Sequence, residues 1–126
     1  MMGYIDIEDA LQAMLNADNF NACAKPLPAA FSMPHVTVDM LNAQSDNPAQ
    51  ALYSVDFDCR AATYADAALL QCEVADWVRK LEGHEVGGVP CYLVGSIRML
   101  RCQPDAAHQD VVLATVSAVL RLRVAD

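Results

Sequence analysis

The chain has 126 residues, 55% of them hydrophobic and 19% charged, which suits one domain with one apolar core. Its formal net charge of −8 argues against binding to a phosphate backbone, which requires clustered Lys and Arg side chains. No apolar run reaches the roughly 18 residues that a membrane-spanning helix needs. Residues 1–6 lack the basic start and apolar stretch of a signal peptide, so we expect the protein to be made in the cytosol.

The first predicted element is a helix over roughly residues 6–17. Asp6 can cap its N-terminus, and its apolar stripe comprises Ile7, Leu11, Met14 and Leu15. Residues 18–34 are predicted to be irregular, because Pro26 and Pro28 lack an amide N–H and restrict the residues before them.

A hairpin is predicted next. Apolar and polar residues alternate from His35 to Leu41, which predicts a strand that buries Val36, Val38 and Met40. The polar run from Asn42 to Gln50 predicts the loop that joins this strand to the following one.

The stretch from Leu52 to Leu81 predicts a strand that leads directly into a long helix. The strand ends near Arg60, and its buried face comprises Tyr53, Val55, Phe57 and Cys59. The helix is predicted from Thr63, its N-cap, to about Glu82, with Gly83 as its stop signal. Spacings of three and four residues define its apolar stripe: Thr63, Ala67, Leu70, Val74, Trp77 and Leu81.

Two further strands are predicted to end the chain. The pair Gly87-Gly88 permits a turn, and the strand from Val89 to Cys102 contains Gly95, which indicates a bulge or bend. Residues 103–109 form a second hairpin loop. The last strand, from about Asp110 to Val124, has apolar residues at its even positions: Val112, Ala114, Val116, Ala118, Leu120, Leu122 and Val124.

The element order is therefore α-β-β-α-β-β. This order predicts one α+β domain over residues 1–126, with a four-stranded antiparallel or mixed sheet and two helices packed on one face. Each large side chain buried by the second helix should contribute roughly 1.5–3 kcal/mol. The other sheet face is also partly apolar, so we expect segment 18–34 or another subunit to cover Leu41, Leu52, Val111, Leu113 and Val119.

The sequence contains no recognisable catalytic, cofactor-binding or metal-binding constellation. No two cysteines have Cys-x-x-Cys spacing, and we expect reduced structural thiols at Cys23, Cys59, Cys72, Cys91 and Cys102. The histidines lack the spacing of metal ligands on a helix, and we expect exposed side chains at His35, His84 and His108.

Charged side chains on the strands are the candidate functional residues. Asp56 and Asp58 share a strand face, where with Asp39 they form either a glycosidase-like carboxylate set or, as we favour, a solvated polar face. A basic group forms either a salt-bridged rim or a docking patch for an acidic partner, gathered near one end of the sheet if the last strands pair: Arg98, Arg101, Arg121 and Arg123. Asp56 and Asp58, these four arginines and Arg60 together make up the candidate subunit or partner interface.

Four features in a fixed order define the layout. They are the helix Ile5 to Ala17 before a Pro-containing loop, the strand that opens as Pro-His-Val-Thr-Val at Pro34, the strand Ala51 to Arg60, and the Ala-rich helix start Ala61 to Leu70. This layout resembles the tail terminator, or tail completion, proteins of long-tailed bacteriophages and their prophage remnants. The resemblance spans nearly the whole chain and rests on pattern more than on an invariant motif.

The resemblance implies a structural virion-assembly protein with no catalysis and no cofactor. It implies a ring, typically a hexamer, that caps the tail tube and joins the tail to the head. The implied partners are further copies, the tail tube protein and head-completion or connector proteins. Assembly would take place in the host bacterial cytoplasm, and the protein would remain in the virion tail or neck. Asp56 and Asp58 would suit a channel through which DNA slides, because carboxylates repel phosphate.

Two other classes stay open at this stage. A stable monomer with a polar outer sheet face would indicate a non-viral cytosolic interaction or ligand-binding module. A buried pocket that contains a carboxyl or imidazole group with a perturbed pKa would indicate a small enzyme.

Overall fold

The computed structural model describes residues 6–47 and 49–123, with the side chains of these residues except 46 and 47. Two helices lie in this part of the chain, α1 (Ile7–Ala17) and α2 (Tyr64–Arg79). The strands are β1 (Ala22–Ala24), β2 (His35–Asn47), β3 (Gln50–Ala61), β4 (Glu85–Val86), β5 (Val89–Met99), β6 (Gln103–Pro104) and β7 (Val112–Arg123).

The described strands form one mixed, curled sheet of seven strands. Its order is β1-β2-β3-β7-β5-β4, and β6 pairs with part of β7. The β1–β2 pair is parallel and the other pairs are antiparallel. Helix α1 contacts both β1 and β4, which lie at opposite ends of the strand order, so the sheet curls back on itself.

The prediction of a four-stranded sheet with two helices packed on one face is therefore wrong. The three additional strands, β1, β4 and β6, have only two or three residues each, too few to show a period of two in the sequence. They form because a long neighbouring strand offers backbone partners, as Val36, Thr37 and Val38 do for β1.

The main apolar core lies inside the curl, and a smaller cluster of Ala61, Ala67, Val112 and Ala114 is separate from it. The predicted inward residues of β3 are all at most 1% exposed, as are Val116, Leu120 and Leu122 of β7. These strands pack with α1 through Ile7, Leu11 and Leu15, and with α2 through Leu70, Val74 and Val78. The alternation predicted for both strands is confirmed, although Val124 lies outside the described residues.

The helix starts agree with the predicted caps. The Asp6 carboxylate accepts a hydrogen bond from the Asp9 N–H (3.2 Å), and the Thr63 hydroxyl accepts one from the Asp66 N–H (3.1 Å). Helix α2 ends at Arg79, three residues before the predicted end. The predicted turn at Gly87-Gly88 joins β4 to β5, and φ angles of 60° and 84° explain why glycine occupies both positions.

The hairpin of β2 and β3 is longer than predicted. Residues 42–47, predicted as a polar loop, continue β2 and pair with β3, for example Asn42 with Ser54 and Gln44 with Leu52. A register shift between Met40 and Asn42 marks a bulge. The prediction was wrong because a strand with a solvated outer edge tolerates polar residues that are also typical of loops.

The second hairpin also differs from its prediction. Strand β5 ends at Met99 instead of Cys102, and the predicted loop contains β6. Register shifts occur after Cys91 and after Gly95, so the bulge expected at Gly95 is confirmed.

Trp77 connects the end of α1 to α2 and the sheet. Its indole N–H donates to the Asp18 carboxylate (2.7 Å). Its ring meets those of Phe20 and Phe57 edge to face, with centroid distances of 6.4 and 6.3 Å.

Candidate functional site: the outer sheet face

The candidate residues of β3 lie on the face of the sheet that points away from the core, termed the outer face. In the strand register Asp56 lies opposite Asp39 of β2 and Ser117 of β7, and Asp58 lies opposite Thr37 and Thr115. Since side chains alternate along each strand, these carboxylates and hydroxyls share one surface. Sequence reasoning missed Thr115 and Ser117, because their strand is distant along the chain.

Each of the two candidate carboxylates has a hydroxyl partner. The Thr115 hydroxyl donates to Asp58 (2.8 Å) and the Ser117 hydroxyl donates to Asp56 (2.5 Å). Burial raises the pKa of Asp58, against the opposing effects of the Thr115 hydrogen bond and the Arg60 charge, while the charges of Asp56 and Asp39 add to the rise. The two hydrogen bonds join β3 to β7 through side chains and so stabilise this surface of the sheet.

Arg60 closes one end of the outer face through an ion pair. Its Nε donates to the Asp105 carboxylate (2.8 Å), and a terminal N–H donates to the Thr37 hydroxyl (3.1 Å). The side chains of Arg60 and Asp105 are only 11% and 7% exposed. Burial acts to raise the pKa of Asp105, but hydrogen bonds from Arg60, Ala107 and His108 and the Arg60 charge hold it below its usual value. Arg60 is therefore already engaged within its own chain.

His35 lies at this end of the outer face, opposite Arg60 in the strand register. It is 4% exposed, so the prediction of an exposed side chain is wrong for this histidine. Phe31 covers it, with its ring centroid 5.4 Å from that of His35 and 5.3 Å from that of His108. Burial, and then the Arg60 charge, lower the pKa of His35, and its Nδ1 has no hydrogen-bond partner among the described residues. Phe31 of segment 18–34 thus covers His35 at this end of the sheet, whereas Leu41, one of the apolar residues that the segment was expected to cover, is 56% exposed.

The other two histidines are more accessible. His84 is exposed, in agreement with the prediction. His108 is half-buried, and its Nδ1 lies 3.0 Å from an Asp105 oxygen.

The other four candidate arginines do not gather at one end of the sheet. Arg121, opposite Leu93, lies near the end of β7, where it donates to the Gln50 side-chain oxygen (3.0 Å), and Arg123 follows it. Arg98 lies opposite Ser117 in the middle of β7, and Arg101 follows β5 in the direction of β6. The arginines are separated because β5 and β7 run antiparallel and carry their arginines at different positions along the strands. Arg98, Arg101 and Arg123 are exposed.

A shallow cleft of about 220 Å³ opens on the outer face beyond the carboxylates. Leu41, Asp56, Arg98 and Val119 line it, and Leu41 is 56% exposed. The expected apolar patch is thus partly real: Leu41 is open to solvent, whereas Val111 is buried.

The cysteines form no disulfide bond, and two of them are buried. All five cysteines are free, and Cys59 and Cys91 are buried while Cys72 is exposed. Burial raises the pKa of Cys91 to about 11 and that of Cys59 further.

Among residues 6–47 and 49–123, no group of three or more His, Cys, Asp or Glu side chains is arranged to hold a metal ion. The same residues include no helix that is long and apolar enough to span a membrane.

Comparison with known proteins is informative about the fold. No family model and no curated protein matches the sequence. Among solved structures, the chain is similar to a chain in the virion of a native gene transfer agent particle, with a TM-score of 0.51 and 14% sequence identity. The similarity covers 94% of this chain and 98% of that chain. At this identity, the similarity establishes a shared fold.

Proposed function

We propose that this protein is a structural component of a phage-like virion and acts as a tail terminator. Copies assemble into a ring, a hexamer by the family resemblance, that ends the tail tube and joins the tail to the head. The observation that carries the proposal is the fold similarity to a gene transfer agent virion chain, which spans 94% of this chain and 98% of that one. Because almost nothing is unmatched in either chain, the similarity involves the whole fold and not one common hairpin.

The surface of the chain supports a role that depends on contacts. Large apolar side chains are exposed at several places, among them Leu41, Leu69, Tyr92, Leu93 and Met99. In the proposed role these side chains meet further copies, the tail tube protein and head-completion or connector proteins. The role requires neither catalysis nor a cofactor. It places assembly in the bacterial cytoplasm and the finished protein in the virion neck.

The proposal also specifies which side of the ring the outer face occupies. Asp39, Asp56 and Asp58 form a row across β2 and β3, and of these three only Asp39 forms an ion pair within the described residues, with Lys25 at 3.3 Å. Such a row produces a negative potential, which suits the wall of a channel that DNA passes without binding. We place this row on the channel side of the ring.

The test has two stages. Light scattering on a sizing column, across a range of protein and salt concentrations, should give a ring-sized species that grows with concentration. Purified chain should then be added to polymerising tail tube protein from the same virion, and tube lengths measured by electron microscopy. We expect shorter tubes with one end closed. A strict dimer at every concentration, together with tubes of unchanged length, would support a cytosolic interaction module instead.

A further inference from the structure

A groove runs along one flank of α2, between the helix and residues 18–34. It consists of two adjacent depressions of about 510 and 330 Å³. The two depressions share four lining residues: Met33, Pro34, Leu70 and Glu73. Asp66 lines the smaller depression and Asp18 the larger one, where Asp18 accepts a hydrogen bond from the Trp77 indole (2.7 Å). The groove, termed the acidic groove, thus follows α2 from residue 66 to the level of residue 77, about 16 Å along the helix axis.

The walls of the acidic groove carry exposed apolar side chains. Met33 on one wall is 40% exposed and Leu69 on the other is 61% exposed, while Leu70 is buried between them. Side chains of this size lose contact with water when a partner side chain enters, which favours binding. The groove therefore provides an apolar surface for a partner.

Three exposed carboxylates follow the same groove. Asp66, Leu70, Glu73 and Trp77 occupy positions i, i+4, i+7 and i+11 of α2, which form one stripe of a helix. Asp66 and Glu73 are therefore about 10 Å apart along the axis, and Asp18, beside Trp77, lies about 6 Å further on. None of the three carboxylates forms an ion pair with another residue in the described part of the chain.

Hydrogen bonds within residues 18–34 hold the wall opposite α2. The Asn21 side-chain amide donates to the carbonyl groups of Ser32 (2.8 Å) and Pro34 (3.3 Å). The Val36 N–H donates to the Asn21 carbonyl (2.8 Å). These bonds connect the two ends of the segment that borders the groove, so a partner has little of this chain to order when it binds.

The combination of apolar walls and unpaired carboxylates selects a partner by its chemistry. An anionic partner would be repelled by the three negative charges. A purely apolar partner would remove carboxylates from water without giving them a counterion, which is unfavourable. A segment that carries Lys or Arg side chains beside apolar ones meets both requirements.

A second copy of this chain is a poorer match for the acidic groove. Its Lys25, Arg60 and Arg79 are already engaged in ion pairs. Arg98 and Met99 are consecutive residues of β5, so the cation and the apolar side chain point to opposite faces of the sheet. The complementary segment is therefore expected on a different protein.

We propose that the acidic groove binds a basic, partly apolar segment of a different protein. Apolar side chains of the segment contact Met33 and Leu69, and its Lys or Arg side chains reach Asp66, Glu73 and Asp18. Burial of the apolar side chains supplies the affinity, and the matched charges fix the orientation. The inference rests on the proposed function in one respect: there, the segment belongs to another virion protein.

A synthetic peptide with the stated chemistry tests the groove of the whole chain. The probe is acetyl-Gly-Arg-Leu-Leu-Arg-Leu-Arg-amide, whose arginines lie about 10 and 7 Å apart when the peptide is extended. In a titration followed by two-dimensional NMR, we expect shifts centred on Met33, Leu69 and Glu73 and a Kd below about 1 mM at low salt. Two comparison peptides, with Glu for every Arg or Gly for every Leu, should bind at least about tenfold more weakly. Raised salt should weaken binding of the probe, because the rim carboxylates are exposed.

Charge reversal in the protein provides the matched measurement. Asp66→Lys with Glu73→Lys should weaken binding of the probe at least about tenfold. The control is Asp9→Lys with Glu85→Lys, which makes the same change of charge at exposed positions that do not line the groove. Asp9 and Asp66 each lie in the first turn of a helix, so the effect on the helix dipole is also matched. The control should bind the probe like the unaltered chain, and circular dichroism verifies that both variants are folded.

The outcomes separate the groove from the function. The groove proposal is overturned if the probe does not bind, if it binds no better than the comparison peptides, or if the reversed variant binds it equally well. Self-association that the reversed variant loses, without binding of the probe, would identify a second copy as the occupant and also overturn the proposal. Probe binding at the groove by a chain that leaves tail tubes uncapped would reject the tail terminator role alone. Capped tubes without probe binding would reject the groove proposal alone.

Discussion

The buried end of the outer face should lose much of its stability when Arg60 is replaced by Ala. Arg60 is the cation partner of Asp105, and both side chains are nearly inaccessible, 11% and 7% exposed. The substitution removes the donor to Asp105 and a donor to Thr37. It leaves a carboxylate in a site that water scarcely reaches, which is more costly than losing a pair on the surface.

The magnitude follows from what Asp105 retains. Removing one partner of a buried ion pair costs about 3–5 kcal/mol. Asp105 keeps the Ala107 N–H as a donor (3.1 Å) and the His108 ring (3.0 Å), so we expect the lower end of this range, about 3 kcal/mol. For a chain of this size that corresponds to a fall in Tm of about 10 °C.

The assay is chemical and thermal unfolding of the unaltered chain and the variant, with one surface control. Arg79→Ala removes the partner of Asp76, and since those side chains are 60% and 68% exposed, the cost should stay below about 1 kcal/mol. Adding Asp105→Asn to Arg60→Ala removes the uncompensated charge, so the double variant should be more stable than Arg60→Ala alone.

The pH dependence provides a check on the mechanism. Asp105 has a folded-state pKa below its usual 3.8, so its stabilising contribution is complete above that pH and is lost as pH falls through the lower folded pKa. The stability difference between the unaltered chain and Arg60→Ala should therefore shrink in strong acid. A cost below about 1 kcal/mol at pH 7, equal to that of Arg79→Ala, would refute the reasoning.

Three further outcomes are expected. Trp77→Ala should cost about 3 kcal/mol of unfolding free energy in denaturant titrations, because it removes the aromatic contacts of the ring and leaves the Asp18 carboxylate without its indole donor; an effect below 1 kcal/mol would contradict this. In the native protein a thiol reagent should modify Cys72 first and Cys59 only on unfolding, and Cys72→Ser should abolish the fastest phase. Stability should decrease as pH falls below 6.5, since the unfolded chain binds a proton at His35 before the folded chain does; His35→Leu should reduce this slope, and an unchanged slope would assign it to other groups.

Local patterns predicted the long elements of this fold well. Alternation in β3 and β7 identified the buried faces, because both strands bury one face completely against the core. Spacing in α2 identified Leu70 and Val74, and both caps formed as the side chains at Asp6 and Thr63 indicated. These features depend on interactions between residues that are near in sequence or on one shared period.

The sheet closure could not be predicted in the same way. Strands of two or three residues have no period, and the pairing of β1 with β2 depends on backbone groups that every sequence has. The candidate site shows the same limit. Asp56 and Asp58 were placed on one face correctly, but their hydroxyl partners Ser117 and Thr115 lie 61 and 57 residues away along the chain. Asp105, the partner of Arg60, lies 45 residues away. A polar residue in a strand does not indicate which distant residue will satisfy it.

The free strand edges favour a contact through side chains over one through backbone pairing. On β2, the Met40 N–H donates to the Glu8 carboxylate (2.8 Å), and on β5 the Val94 N–H donates to the Glu82 carboxylate (3.0 Å). Each carboxylate occupies a backbone donor that an added strand would need and places a negative charge at the edge. The bulge after Gly95 further interrupts β5. An added strand is therefore disfavoured at these positions of β2 and β5, so we expect copies of this chain to associate through side chains.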